Sequence, residues 1–262
     1  MSPSLPVPLD VKLMNLTATL LLLGFVLLGL GTGGRWLANH PVFAIRGLTV
    51  LGDISHTSAL TLRAHVGPQL SGTFLTVDLN AVRQAFETVP WVRRAVVQRE
   101  FPNRLRVILQ EHQAVAYWGE EGESTLVNRQ GEVFEANLGE IEQDDLPRLD
   151  GPVERSAEVL AMYRELQPLF EALDLQIDQL ALSGRGNWHL QLASGAGIEL
   201  GSGDTEQVAN RARQFLGTVA QVAVHHGRKL DALEMADLRY AQGYALRLRG
   251  VSTVAQEQGK RH

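Results

Sequence analysis

Residues 13–34, LMNLTATLLLLGFVLLGLGTGG, set the organisation of the chain. They contain no charged residue, and Lys12 and Arg35 stand directly outside them. A helix of this length rises about 33 Å at about 1.5 Å per residue, enough to cross a hydrocarbon layer of about 30 Å. Such a helix has no polar face, which is unusual for a core helix of a soluble protein. We therefore predict a transmembrane helix over residues 13–34.

A cleavable signal peptide is the main alternative for this segment. Its apolar part is shorter and ends at a small-residue cleavage motif, whereas residues 35–40, RWLANH, contain no such motif. An uncleaved apolar segment near the N-terminus exports the chain that follows it. We therefore expect residues 1–12 to form a cytoplasmic tail, residues 35–42 a short connector, and the remainder to lie on the far side of the membrane.

The composition narrows the possible functions. The chain carries a net charge of −5 at pH 7 and contains no cysteine. Nucleic-acid binding needs a basic patch, so this charge argues against it, and the lack of cysteine removes disulfides and thiolate catalysis. The histidines do not show the i,i+4 spacing of a helical metal site. We expect no nucleic acid, cofactor, metal or small-molecule substrate.

No catalytic motif has the context that its chemistry needs. Residues 29–34, GLGTGG, match the G-x-G-x-x-G of dinucleotide sites. That motif joins a strand to a helix, whereas here it ends a lipid-length apolar run. The G-x-S-x-G and S-x-x-K motifs of serine nucleophiles are absent. We expect a protein that is not an enzyme, with a hydrolase built from a chance carboxylate pair as the alternative.

The residues after the connector predict an α+β unit. Residues 43–50 form a strand, and a helix runs from Thr57 or Ser58 to Val66. Asp78 caps a second helix, which Pro90 closes. Residues 91–100 and 105–109 are rich in branched or alternating apolar side chains and predict two further strands. The predicted order of elements is β-α-α-β-β.

Residues 113–249 predict a second, β-rich domain with two helices. Apolar residues at helical spacing from 159 to 173 form the first helix. A capping box of Asp204 and Gln207 opens the second helix. Strands surround both helices, and the last pair covers residues 230–240 and 244–249. Residues 250–262 are polar and predict a flexible tail.

The last predicted strand is a candidate for partner binding. A strand at the end of a sheet leaves one row of N–H and C=O groups open to another chain. Within residues 244–249 apolar side chains alternate with residues that include two arginines, so one face could pack while the other meets carboxylates. From the residues alone, Tyr240 and Leu248 fit an interface and the domain's own core equally well.

Three runs resemble the FtsQ/DivIB family of bacterial division proteins. They are residues 90–112, PWVRRAVVQREFPNRLRVILQEH, residues 198–205, IELGSGDT, and residues 235–247, MADLRYAQGYALR. The first is similar to the end of the family's POTRA domain, and the others to a strand–helix junction and the closing hairpin of its second domain. The resemblance implies a POTRA domain over residues 43–112 and an FtsQ-type β domain over residues 113–249. The chain departs from the family at residues 113–116, QAVA, where a proline is common, and at Leu248, near which an aromatic residue is common.

The resemblance also implies a function. Proteins of this family resemble non-enzymatic divisome hubs in the inner membrane at the division septum. They hold the small membrane proteins FtsB and FtsL, and their last strands receive FtsB. The implied contact residues, carried over by position, are Arg239, Tyr240, Gln242, Arg247 and Leu248. The alternatives are a POTRA protein of outer-membrane assembly or secretion and a membrane-anchored periplasmic hydrolase.

Overall fold

Helix α1 (Leu9–Ala38) is continuous in the computed structural model, which describes residues 9–137, 139, 146–240 and 243–251. Its segment Asp10–Ala38 is long and apolar enough to cross a membrane. The predicted transmembrane residues 13–34 lie within α1, and the helix continues on both sides of them. After it the chain divides into two units, the first ending at Glu111 and the second beginning at His112.

The first unit contains a three-stranded sheet and two helices. Strand β3 is central, parallel to β1 and antiparallel to β2. The strands and helices of this unit, in chain order, are β1 (Gly47–Asp53), α2 (Ala59–Val66), α3 (Leu79–Glu87), β2 (Val92–Glu100) and β3 (Arg104–Glu111). This is the predicted β-α-α-β-β order.

One face of the sheet forms the core of this unit. Along β3 every second side chain is buried, because successive side chains of a strand point to opposite faces. Helix α3 begins where predicted, since Asp78 Oδ1 accepts hydrogen bonds from the N–H groups of Asn80 and Ala81. The buried apolar residues include Val82, Ala85, Phe86, Val92, Ala95, Leu105, Val107 and Leu109.

Strand β1 begins later than predicted. Residues Pro41–Phe43 form a turn of 3-10 helix, because proline fits the first position of a helix and cannot donate to a sheet. The strand then starts at Gly47. Within it Gly52 has φ +119°, and a Cβ there would lie 2.1 Å from the carbonyl oxygen of Leu109. Only glycine fits this position.

The last residue of β3 fixes the start of α2. The Glu111 carboxylate is buried and accepts hydrogen bonds from the N–H groups of Ser55 (2.9 Å), His56 (3.1 Å) and Thr57 (2.9 Å). Burial raises the pKa of Glu111, but the hydrogen bonds from this segment outweigh burial and hold the pKa below its usual value. The ionised carboxylate therefore stabilises the fold of the first unit.

We expect Glu111→Gln to destabilise the first unit by about 2 kcal/mol at neutral pH, because an amide replaces a charged acceptor. The pKa of Glu111 is lower in the folded state than in the unfolded state. Its contribution is therefore complete above the unfolded pKa and is lost as the pH falls through the folded pKa. The difference between the two proteins should shrink below about pH 4. Hydrogen exchange of peptides from residues 79–111 at neutral and acid pH measures this difference.

Glu121→Gln is the control for this prediction, since Glu121 is exposed in the second unit. It should leave exchange in residues 79–111 unchanged at either pH. A Glu111→Gln effect that persists unchanged in acid would mean that the carboxylate charge is not its cause.

Among the described residues, the second unit has a nine-stranded sheet. Its order is β12-β11-β10-β9-β8-β7-β4-β5-β6. Pairs β4–β7, β7–β8 and β10–β11 are parallel, and the others are antiparallel. The strands are β4 (Ala114–Trp118), β5 (Thr125–Asn128), β6 (Val133–Glu135), β7 (Arg148–Asp150), β8 (Ile177–Leu182), β9 (Asn187–Leu192), β10 (Gly197–Ser202), β11 (Leu233–Asp237) and β12 (Ala245–Leu248).

Two helices, α4 (Ser156–Glu171) and α5 (Thr205–His225), pack against this sheet and against each other. The predicted capping box of Asp204 and Gln207 opens α5. The largest fully buried side chains of the second unit are Trp188, Phe170, Phe215, Met162, Leu126, Leu149, Leu166, Leu180, Leu182 and Leu190. The predicted fold class, α+β with an N-terminal apolar helix and a mixed β-rich second domain, is confirmed.

The closing elements position the candidate site. Helix α5 connects β10 to β11, which lie side by side and parallel, as a helical crossover allows. Residues Leu230–Ala232 form a 3-10 turn, so β11 is shorter than the strand predicted over residues 230–240. The chain then reverses and β12 pairs with β11.

Candidate functional site

Strand β12 lies at one end of the nine-stranded sheet. Within the described part of the chain it pairs only with β11, with Arg247 opposite Met235 and Leu246 opposite Ala236. One of its two rows of backbone N–H and C=O groups therefore faces away from the sheet. Such a row can pair with an added strand.

The residue that precedes this strand, Tyr244, is fixed to α5. The ring of Tyr244 meets the ring of Phe215 edge to face, with centroids 5.1 Å apart. The hydroxyl groups of Tyr244 and Thr218 share a hydrogen bond of 2.6 Å. Leu248 is 5% exposed and belongs to the hydrophobic core. These contacts hold the edge strand in place before any partner arrives.

The outer side of the same strand is exposed and cationic. Arg247 is exposed beside Met235, its cross-strand neighbour, which is also exposed. Arg249 lies 3.7 Å from the carboxylate of Glu234, measured from Nε to Oε1. An apolar side chain next to a guanidinium group fits a partner with an apolar residue and a carboxylate.

The turn between β11 and β12 carries the remaining predicted contacts. Arg239 donates two side-chain hydrogen bonds to Asp237, of 2.9 and 2.7 Å. These bonds lower the pKa of Asp237 and raise the pKa of Arg239. Tyr240 is 60% exposed. Gln242 lies outside the described residues.

The predicted contact residues differ in how accessible their side chains are. The side chains of Tyr240 and Arg247 are accessible, that of Arg239 is paired within the hairpin, and that of Leu248 is in the core. Sequence reasoning missed Met235 on the outer face, because a period-2 pattern would place it on the same face as the buried Leu233. An irregularity in β11 between these two residues shifts the alternation and exposes Met235. Sequence reasoning also missed Phe215 and Thr218, which α5 brings to the edge strand from far along the chain.

Chemically, the arrangement offers binding groups. No three histidine, aspartate or glutamate side chains among the described residues are grouped to hold a metal ion. The edge strand offers backbone donors and acceptors, and the exposed face offers guanidinium groups. Both recognise another polypeptide through hydrogen bonds and charge.

A helix long enough to span a membrane, followed by a β-α-α-β-β unit and a second, sheet-rich unit, is the arrangement of a POTRA-class protein. Residues 43–112 match the family model of the FtsQ-type POTRA domain. Residues 116–239 match the C-terminal domain of the cell division protein FtsQ/DivIB.

Curated relatives agree with these matches over almost the whole chain. The cell division protein FtsQ of Thiomonas arsenitoxydans is 42% identical over 250 residues, covering 94% of this chain and 90% of the relative. The FtsQ of Burkholderia pseudomallei is 37% identical, covering 92% and 94%, and that of Bordetella pertussis is 34% identical, covering 91% and 92%. The chain therefore belongs to the FtsQ/DivIB family of cell division proteins, and the family prediction is confirmed.

Proposed function

We propose that this chain is a non-enzymatic scaffold of the divisome, bitopic in the inner membrane at the division septum. Residues 1–12 lie in the cytoplasm and both units lie in the periplasm. The scaffold links early division proteins to septal peptidoglycan synthesis by binding FtsB and FtsL. The observation that carries the proposal is the open edge of β12, since an unpaired strand edge is a binding surface for another chain.

FtsB binds by adding a strand to β12. Because Tyr244 and Leu248 already hold β12 against the core, the strand needs little ordering when the partner pairs with it. Preorganisation of this kind reduces the entropy cost of association. The backbone supplies affinity, and the side chains beside it supply specificity.

Arg247 is the main charged contact in this proposal. Arg239 already bonds both carboxylate oxygens of Asp237, so a partner carboxylate would have to compete with that pairing. Arg247 is exposed next to Met235 and can meet a partner carboxylate directly. Tyr240 adds an exposed aromatic ring, a residue type enriched among interface hot spots.

Depletion of this protein in its source bacterium should give filamentous cells, because septal synthesis would lack its scaffold. Expression of the full chain from a plasmid should restore division. A chain carrying Arg247→Glu and Tyr240→Ala should reach the membrane in equal amount and fail to restore division. Cell length and membrane abundance measure these outcomes.

Arg185→Glu is the matched control, since Arg185 is an exposed arginine in the turn between β8 and β9. It should restore division like the unaltered chain. Division at normal cell length without this protein would reject the proposed role. Full rescue by the double variant would reject the edge of β12 as the essential surface.

A further inference from the structure

The C-terminal end of α1 is bonded directly to the first unit. The Thr73 hydroxyl donates a hydrogen bond to the backbone carbonyl of Ala38 (2.6 Å). The N–H of Phe74 donates to the carbonyl of Phe43 (2.7 Å). The last carbonyls of a helix have no partner inside it, so Thr73 satisfies one of them. The unit therefore begins at the end of the helix and not after a free linker.

Exposed apolar side chains lie around this junction. Phe101, in the turn between β2 and β3, is 82% exposed, with its ring centroid 6.4 Å from that of the buried Phe74. Val42 and Leu75 are also exposed, and they are the chain neighbours of the hydrogen-bonded Phe43 and Phe74. We call Val42, Leu75 and Phe101 the junction patch. Its apolar surface is unfavourable in water and favourable in an apolar phase.

Arginines border the junction patch. The N–H of Arg46 donates to the carbonyl of Asn103 in the same turn as Phe101 (2.9 Å). Arg104 follows that turn, and the side chains of Arg46 and Arg104 are both exposed. The patch is therefore apolar at its centre and cationic at its margin.

The helix itself indicates the level of the membrane surface. The uncharged run ends at Gly34, and Arg35 and Trp36 occupy the last turn of α1, both exposed. The Trp36 ring meets the His40 ring edge to face, with centroids 5.2 Å apart. Tryptophan and arginine are the side chains that anchor a span at the headgroups. The junction lies immediately after this turn.

We propose that the junction patch inserts into the headgroup region of the leaflet beside it, with Arg46 and Arg104 facing anionic lipid headgroups. We take the membrane as the partner of the patch because of continuity. Thr73, two residues before Leu75, is hydrogen-bonded to the end of the span, and Val42 follows the headgroup-level residues Arg35 and Trp36 in the chain. Arginine charge complements anionic lipid. This inference rests on the proposed anchoring of the chain by α1.

Nitroxide labels on single cysteines test the proposal, since the chain has no cysteine of its own. The full chain carrying Phe101→Cys is placed in vesicles of phosphatidylethanolamine and phosphatidylglycerol, with no second protein. Collision of the label with oxygen reports lipid, and collision with a nickel chelate, equilibrated on both sides, reports water.

Leu60→Cys provides the matched control. Leu60 is 79% exposed on α2, whose start is held by Glu111 at the opposite end of β3 from the Phe101 turn. We expect nickel accessibility at position 101 to be about threefold lower than at position 60, with higher oxygen accessibility, as for a side chain inserted about 5–10 Å below the surface.

A third label, Phe25→Cys in the middle of α1, tests the anchoring of the chain by α1 separately from the insertion of the junction patch. Shielding from nickel at positions 25 and 101, with position 60 accessible, supports the inference. If position 25 is shielded and position 101 is as accessible as position 60, the patch lies in water and the inference is wrong while the anchoring stands. Nickel access at position 25 would overturn the anchoring and this inference together.

Discussion

Co-purification of FtsB with the full chain should fall at least about 30-fold when Arg247→Glu and Tyr240→Ala are combined, as expected for loss of a hot spot worth about 2 kcal/mol. Both side chains are exposed, and neither belongs to the core. The melting temperature should therefore change by no more than about 2 °C. Affinity capture from solubilised membranes and calorimetry measure the two effects.

Arg185→Glu is again the matched charge reversal in the same unit and should leave capture unchanged. Leu248→Ala tests the opposite expectation, because its side chain is buried and its truncation should lower stability. If the double variant lost folding and capture together, Tyr240 and Arg247 would be structural residues. Undiminished capture by a folded double variant would show that FtsB does not bind through these two side chains at the edge of β12.

Phe215→Ala should destabilise the second unit by about 3–5 kcal/mol, because the ring is fully buried in the core. The substitution also removes the edge-to-face partner of Tyr244, a contact of about 0.5–1.5 kcal/mol. We therefore expect weaker FtsB capture even at temperatures where the unit remains folded. The midpoint of urea-induced unfolding, followed by circular dichroism, measures the stability.

Two variants of the same helix serve as controls. Val224→Ala alters an exposed side chain and should cost no more than about 0.5 kcal/mol. Thr218→Val removes the hydroxyl that bonds Tyr244 and should cost about 1 kcal/mol, with a smaller loss of capture. A Phe215→Ala cost as small as that of Val224→Ala would contradict the described core.

Elements with local signals could be predicted from the sequence. Asp78 caps α3, Ser58 accepts a hydrogen bond from the N–H of Thr61 at the start of α2, and Gln207 completes the box that opens α5. These signals lie within three residues of the helix ends that they define. The transmembrane prediction is local in the same sense, since it depends on one uninterrupted apolar run.

The arrangement of the large sheet could not be predicted in the same way. Strand β7 lies between β4 and β8 and is parallel to both, a placement that no short motif encodes. The alternation of apolar and polar side chains in β12 places Arg247 and Leu248 on opposite faces, but it could not show which face α5 would cover. The packing of Phe215 against Tyr244 decides that, and it joins residues far apart in sequence.

Among the described residues, strand β12 comes after every other strand and helix of the second unit in chain order, which has a consequence for biosynthesis. A chain that ends within α5 would contain the sheet up to β10 but neither strand of the closing hairpin. If β12 is the FtsB-binding edge, as proposed, such an incomplete product could enter the membrane through α1 but could not compete with finished molecules for FtsB. Under the proposed function, partner capture therefore requires that synthesis of this unit has reached β12.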